Sequence, residues 1–433
     1  MSPTLIGIIG LVVLIIVLFS RMPVGFVMAL VGFVGFSSMV SLEAGLNLLA
    51  KDILDIFGSY SLTVVPLFVF MGQIAFHAGI SRRLYDSAYT FMGHWPGGVA
   101  MATIGACAGF AAICGSTNAS AATMATVALP EMKRYRYDMK LATGTVAAGG
   151  SLGILIPPSV IFIIYGIMTE QSIGKLFTSG ILPGLLLASL FILTIYIWTR
   201  IRPELGPRGP RVSLREKVQS LTGVLEMLII FGLVMGGLFK GFFTPTEAGA
   251  IGAFCTLLIA IIRRQITWKG FAQSLVETTR ISCMVLVIVT GATVFGHFLA
   301  ITRIPFDLAG WAKDLPLPPW GIMSVIIFIY LVGGCFIDAL ALILLTIPIF
   351  FPVSVNIGYD PIWFGVIIVM VTQVGVITPP VGVNVYVVSG VAKDVPLEVI
   401  FKGVVPLLLA LIVAVILMVI FPQIALFLPS FMR

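Results

Sequence analysis

Long apolar runs separated by short polar breaks dominate the chain, with residues 4–19, 176–198, 223–238 and 404–421 as examples. A run of about 17 to 25 apolar residues crosses the hydrocarbon core as a helix, because a helix satisfies its own backbone where no water is available. The 433 residues leave room for about eleven such passes. The first run is expected to stay as a helix and not to be removed as a secretory signal. Nothing basic precedes it, and no small-residue cleavage site follows before Arg21.

Composition agrees with that pattern, at 59% hydrophobic and only 10% charged residues, where a soluble chain carries roughly 25% charged. The fold class expected is an all-α polytopic membrane protein. The five cysteines, Cys107, Cys114, Cys255, Cys283 and Cys335, lie in apolar segments without metal-ligand spacing and are read as small buried hydrophobes. The net charge of +7 invites a nucleic-acid reading, but its distribution excludes one. The basic residues Arg200, Arg202, Arg208, Arg211, Arg215 and Lys217 crowd the longest polar break, which the positive-inside rule places in the cytoplasm.

The chain also repeats itself. A shift of 222 residues superposes Pro23 on Pro245, Pro96 on Pro318, Pro130 on Pro352 and Tyr137-Asp138 on Tyr359-Asp360. The same shift lays Gly153-Ile154-Leu155-Ile156-Pro157-Pro158 over Gly375-Val376-Ile377-Thr378-Pro379-Pro380. One residue more brings Gly180 and Pro183 onto Gly403 and Pro406. Tracing spans outward from the basic break leaves 19 Lys and Arg inside and 6 outside, with the N- and C-termini outside and Glu43, Asp52 and Asp55 on the outer face. An odd number of crossings per half makes the repeats inverted, as in many secondary transporters.

Two segments in each half break the rules of a simple span. Residues 97–131 are interrupted by the polar run Cys114 to Ser120, and residues 320–352 by Gly333 to Asp338, so each reads as a re-entrant hairpin of two half-length helices. The double prolines Pro157-Pro158 and Pro379-Pro380 then force an opening in the helix that follows. Gly149, Gly150, Gly153 and Gly375 would allow left-handed or tight backbone there, turning carbonyls toward a cation. Ser116, Thr117, Asn118, Thr372, Gln373 and Thr378 add neutral oxygens of the kind that suit Na+, while half-helix N-termini favour an anion. The other reading of these small polar residues is close helix packing. Asp338, ionisable at a hairpin tip, is a functional candidate, with a place near the outer surface as its alternative. Thr244-Pro245-Thr246-Glu247 has the spacing of a capping box, and Glu226 is expected to reach the cytoplasmic interface. His77, His94 and His297 have no partner at catalytic or metal spacing.

Five stretches then carry a family resemblance: residues 115–132 (GSTNASAATMATVALPEM), 147–159 (AAGGSLGILIPPS), 243–252 (FTPTEAGAIG), 334–352 and 375–384 (GVITPPVGVN). Over essentially its whole length the chain resembles the large membrane subunit of TRAP (tripartite ATP-independent periplasmic) transporters. The resemblance implies a sodium-coupled elevator of the ion-transporter-superfamily kind in the bacterial inner membrane. It also implies a small four-helix membrane subunit, a periplasmic substrate-binding protein, surrounding membrane lipid and a small organic anion as substrate, either a carboxylate or a sulfonate. It divides the chain into residues 1–96 and 223–319 as scaffold and arm, and 97–166 and 320–390 as transport domain. Residues 167–222 form a span and cytoplasmic linker, and 391–433 a final arm and span. It places Na+, at two or more sites, near Ser116, Asn118, Gly150 and Gly153 in one repeat and Gly334, Thr372, Gly375 and Thr378 in the other. Substrate is expected at Ser116, Thr117, Asn118, Pro157, Asp338, Pro379 and Asn384.

An enzyme would need a nucleophile, metal cluster or acid-rich motif at the membrane interface, and the sequence offers none. A static pore has no evident use for paired hairpins. The remaining alternative is a stand-alone elevator related to dicarboxylate/sodium symporters.

Overall fold

A computed structural model describes residues 2–20, 22–210 and 212–432. Arg21, Arg211 and Arg433, three of the charges used for orientation, lie outside the described residues. Every regular element is helical among the described residues. Among the described residues six helices are long and apolar enough to cross a membrane, and the pair Leu42–Phe57 and Ser61–His77, bent by 53°, makes a seventh. That is fewer than the eleven passes expected. The other apolar runs end early: Pro3–Leu18 and Val24–Met39 have 16 residues each, about 24 Å of helix against a core of roughly 30 Å.

The two halves build matching parts. Helices Gly98–Cys114 and Thr117–Arg134 form the first hairpin, and Pro319–Gly334 and Ala339–Asn356 the second. Their arms are longer than half a span, at 17, 18, 16 and 18 residues. Helix continues through Pro130 in one and through Pro348 and Pro352 in the other, past the end of the apolar stretch. Each hairpin is followed by an interrupted helix. The first is Met139–Ser151, a 3-10 turn Leu152–Ile154, and Val160–Met168; the second is Pro361–Ile377 and Val383–Val391. Asp138 and Asp360, 222 apart, cap the two interrupted helices, their carboxylates accepting from Lys140 N at 2.7 Å and Ile362 N at 2.8 Å.

The remaining long helices cross over between halves. Val24–Met39 packs on Trp268–Thr302, and Val64–His77 packs on Pro245–Ile262. Elsewhere Met139–Ser151 packs on Leu397–Ile420, and Thr117–Arg134 packs on both Met139–Ser151 and Val383–Val391. Trp268–Thr302, at 35 residues, is about 52 Å long.

Several expectations about isolated side chains change in three dimensions. Glu226 does not reach the interface; it is 3% exposed and sits between Arg83 at 2.8 Å and Arg263 at 2.9 Å. Two cations at that distance hold a carboxylate more firmly than its short path to water would. His297 does have a partner, since its Nε2 lies 3.4 Å from the buried Asp52 Oδ1. Three cysteines are buried, but Cys255 is half-buried and Cys283 exposed. The capping box at Thr244 forms as read, with Thr244 N donating to Glu247 Oε2 at 2.8 Å.

Candidate substrate and cation site

The first hairpin turns at Gly115, which takes a left-handed φ of 64°, a conformation that glycine adopts without steric cost. Ser116 then caps the second arm, its hydroxyl accepting from Ala119 N at 3.4 Å. In the second hairpin the same place, 222 residues on, is held by Asp338, whose carboxylate accepts from Leu340 N at 3.1 Å. Past the first double proline, Ser159 caps Val160–Met168, and its hydroxyl also donates to the freed Ile154 carbonyl at 2.6 Å.

These three helix N-termini meet at one small cavity of about 80 Å³. Ser116, Thr117, Asn118 and Asp338 line it, together with Val160 and Ile161 from the third terminus. Its far wall is formed by Val69 and Gln73 from Val64–His77 and Ile281, Met284 and Val285 from Trp268–Thr302. Unpaired backbone N–H groups at helix starts favour negative charge. Asp338 caps one of the three with its own side chain, which leaves the ends at Ser116 and Ser159 for an anionic ligand. The other expected substrate residues lie elsewhere. Pro157 is buried inside the first break, Pro379 is exposed outside the cavity, and Asn384 faces Met139–Ser151.

Each hairpin tip also presses on its own interrupted helix. A Cβ added at Gly153 would stand 2.5 Å from the Ser116 carbonyl oxygen, and one at Gly375 would run into the Gly334 carbonyl. One added at Gly150 would lie 2.7 Å from Ala121 Cβ. Ser116 and Gly153 are therefore brought together in one half, with Gly150 against Ala121 a turn away, and Gly334, Thr372 and Gly375 meet in the other. The glycines serve close approach, not left-handed backbone, because Gly149, Gly150, Gly153 and Gly375 all keep negative φ while Gly115 and Gly382 do not. Thr372 hydroxyl donates to Val369 O at 2.8 Å and Thr378 hydroxyl to Val374 O, so both keep lone pairs free for a cation. Asn118 points into the cavity and is exposed there.

The breaks are cross-braced between halves. Gln373 Nε2 donates to Ser151 O at 2.9 Å and Asn384 Nδ2 to Ala147 O at 3.0 Å, satisfying carbonyls near the end of the first helix. The opposite oxygens, Gln373 Oε1 and Asn384 Oδ1, are buried without partners among the described residues, as is Ser120 Oγ. Buried oxygens with free lone pairs and no donor fit a desolvated monovalent cation. Ser120, beside Gly153 and the Ser116 carbonyl, was not singled out from the sequence, although it lies one helical turn after Ser116 in the same polar run. Gln73 was also missed, and a lone amide within the apolar stretch before His77 was its signal.

Residues 11–424 match the family model described as the tripartite ATP-independent periplasmic transporter, DctM component. The chain is 37% identical over 374 residues to the C4-dicarboxylate TRAP transporter large permease protein DctM of Pseudomonas aeruginosa, covering 86% of this chain and 87% of that one. It is 34% identical over 415 residues to the sialic acid TRAP transporter large permease protein SiaM of Vibrio cholerae, covering 95% and 96%. The isethionate TRAP transporter permease protein DctMQ of Oleidesulfovibrio alaskensis is 37% identical over 360 residues, 83% of this chain and 56% of that longer one. Among solved structures, the Alcanivorax borkumensis YdaH transporter superposes with a TM-score of 0.61 at 15% identity, over 89% of this chain and 88% of that one, a likeness of fold alone. A transporter permease and not an enzyme, the chain belongs to the DctM component family of the tripartite ATP-independent periplasmic transporters.

Proposed function

We propose that this permease takes up a small organic anion, a carboxylate or sulfonate, by sodium-coupled elevator transport. It receives the substrate from a periplasmic binding protein and works beside a small four-helix membrane subunit. The observation that carries the reading is the convergence of three helix N-termini on a cavity whose opposite wall is formed by Val64–His77 and Trp268–Thr302. Relatives named for C4-dicarboxylate, sialic acid and isethionate transport support an acidic substrate. The partnerless buried oxygens of Ser120, Gln373 and Asn384 support sodium as the co-transported ion.

At about 80 Å³ the cavity is far below the roughly 300 Å³ of ordinary ligand pockets. Substrate entry therefore requires the body carrying both hairpins to part from the scaffold wall at Gln73 and Met284. Rigid movement of that body across the seam is the elevator step. Inverted repeats account for two equivalent end states, and the charge distribution supports periplasmic N- and C-termini in an inner membrane.

Energetically, two Na+ entering with a monoanion down a ~10-fold gradient gain about 1.4 kcal/mol each. The net charge adds about 2.3 kcal/mol per 100 mV. The test is uptake in proteoliposomes holding the membrane subunits and binding protein. Uptake should stop when choline replaces sodium, and undiminished uptake on a proton gradient alone would reject sodium coupling.

A further inference from the structure

A second, larger cavity of about 980 Å³ lies away from the substrate seam, where the C-terminal end of helix Ile173–Ile201 meets the base of the first hairpin and the polar linker. Arg200, Arg208 and Lys217 all line it, and no acidic residue does among the described residues. None of the three has a carboxylate within 4.0 Å among the described residues. Instead the Arg200 guanidinium donates twice to Tyr196 Oη, at 3.0 and 2.9 Å, and Lys217 Nζ sits 6.0 Å from the Phe91 ring. Three like charges facing one space without a counter-ion repel one another, and a bound anion relieves that.

The cavity is built on fixed backbone. Gly209 N donates to Gly93 O at 2.8 Å, Gly97 N to Gly206 O at 2.9 Å, and Tyr137 Oη to Pro207 O at 2.9 Å. These bonds pin the linker carrying Arg208 against the hairpin base. The lower wall is apolar: Ile192 and Leu193 line it, and Leu193, Leu185 and Ile197 are exposed along the same helix. Trp95 and Tyr196, at the junction of the apolar and basic parts, are residue types that gather at membrane interfaces. A soluble anion would use only the basic part of such a site. A molecule with an anionic head and apolar chains would use both.

We propose that this cavity binds an anionic phospholipid, with the phosphate between Arg200, Arg208 and Lys217 and the acyl chains along Ile192 and Leu193. In the proposed orientation the phosphate faces the cytoplasmic leaflet, and that placement rests on the orientation. The site touches both the hairpin base and, through the linker helix Leu214–Ser220, the arm helix Ile80–Met92. Its occupancy would thus reach both moving and static parts.

The test uses the purified, delipidated full chain in an uncharged detergent, titrated by native mass spectrometry with phosphatidylglycerol and phosphatidylcholine of the same acyl length. Wild type should prefer phosphatidylglycerol by on the order of 100-fold, the expectation for three interfacial cations. R200Q/R208Q/K217Q should lose the preference, and the charge-matched control K269Q/R280Q/K402Q should keep it. Should the first triple variant not fold, a photoactivatable phosphatidylglycerol on wild type decides, with label expected on residues 94–101 and 189–217. Equal binding of the two lipids, a preference retained by a folded R200Q/R208Q/K217Q, or label confined elsewhere would overturn the proposal. Displacement of bound lipid by millimolar inorganic phosphate would overturn it too, in favour of a soluble-anion site.

Discussion

Gly153→Ala probes the contact between the first hairpin tip and its interrupted helix. The new Cβ would stand 2.5 Å from Ser116 O, 2.8 Å from Ser116 C and 3.0 Å from Ser120 Oγ. Carbon and oxygen settle no closer than about 3.3 Å, so the tip has to retreat by roughly 0.8 Å. Overpacking of this kind costs about 1–3 kcal/mol, while replacing glycine by alanine stabilises by about 0.4–1 kcal/mol through the unfolded chain. The net expectation is a loss of about 1–2 kcal/mol, seen as a lower apparent Tm. The functional effect should be larger, because the displaced groups are the proposed cation oxygens and a 1 Å misplacement can cost on the order of 100-fold. Uptake should therefore need at least about 10-fold more sodium for half-maximal rate. Gly390→Ala, where an added Cβ meets nothing within 4 Å, should leave the sodium requirement unchanged and, if anything, raise the Tm slightly. Unaltered sodium dependence in a folded Gly153→Ala protein would refute a cation seat at this contact.

Glu226→Gln should leave Arg83 and Arg263 without their shared carboxylate and cost about 2–3 kcal/mol, below the 3–5 of a fully buried pair because the arginine side chains are 26% and 49% exposed; an unchanged melting curve would show that the pair contributes nothing net. Ser116→Ala with Asn118→Ala in one half, and Thr378→Ala in the other, should each raise the sodium requirement, whereas an effect confined to one half would mean a single cation site. Lys133 donates to Asp394 at 2.7 Å and holds its carboxyl below the ordinary range. A depressed carboxylate stabilises above its unfolded pKa and loses that contribution only as pH falls through the lower folded value. Uptake between about pH 6 and pH 8 should thus show no inflection from this pair, and one abolished by Asp394→Asn would contradict its assignment.

Much of the fold is legible in the sequence because its markers are local. Proline removes a donor wherever it falls, so Pro157-Pro158 and Pro379-Pro380 announce breaks without any partner. The 222-residue register likewise brings Ser116 onto Asp338 and Asp138 onto Asp360, and all four are helix caps in the structure. At Gly150, Gly153 and Gly375 only the left-handed alternative failed, since a glycine kept for backbone freedom and one kept for close approach look alike in one dimension. Glu226 was misread because Arg83 lies 143 residues away. The same distance problem hid the partners of Gln373 and Asn384, since Ser151 and Ala147 lie 222 and 237 residues off.

Sodium-driven uptake compared across three reconstitutions tests the account most directly: this chain alone, this chain with the small membrane subunit, and both with the periplasmic binding protein. The account predicts accumulation of the organic anion only in the third, abolished by replacing sodium with choline. Robust sodium-driven accumulation by this chain alone would contradict it and favour the stand-alone symporter.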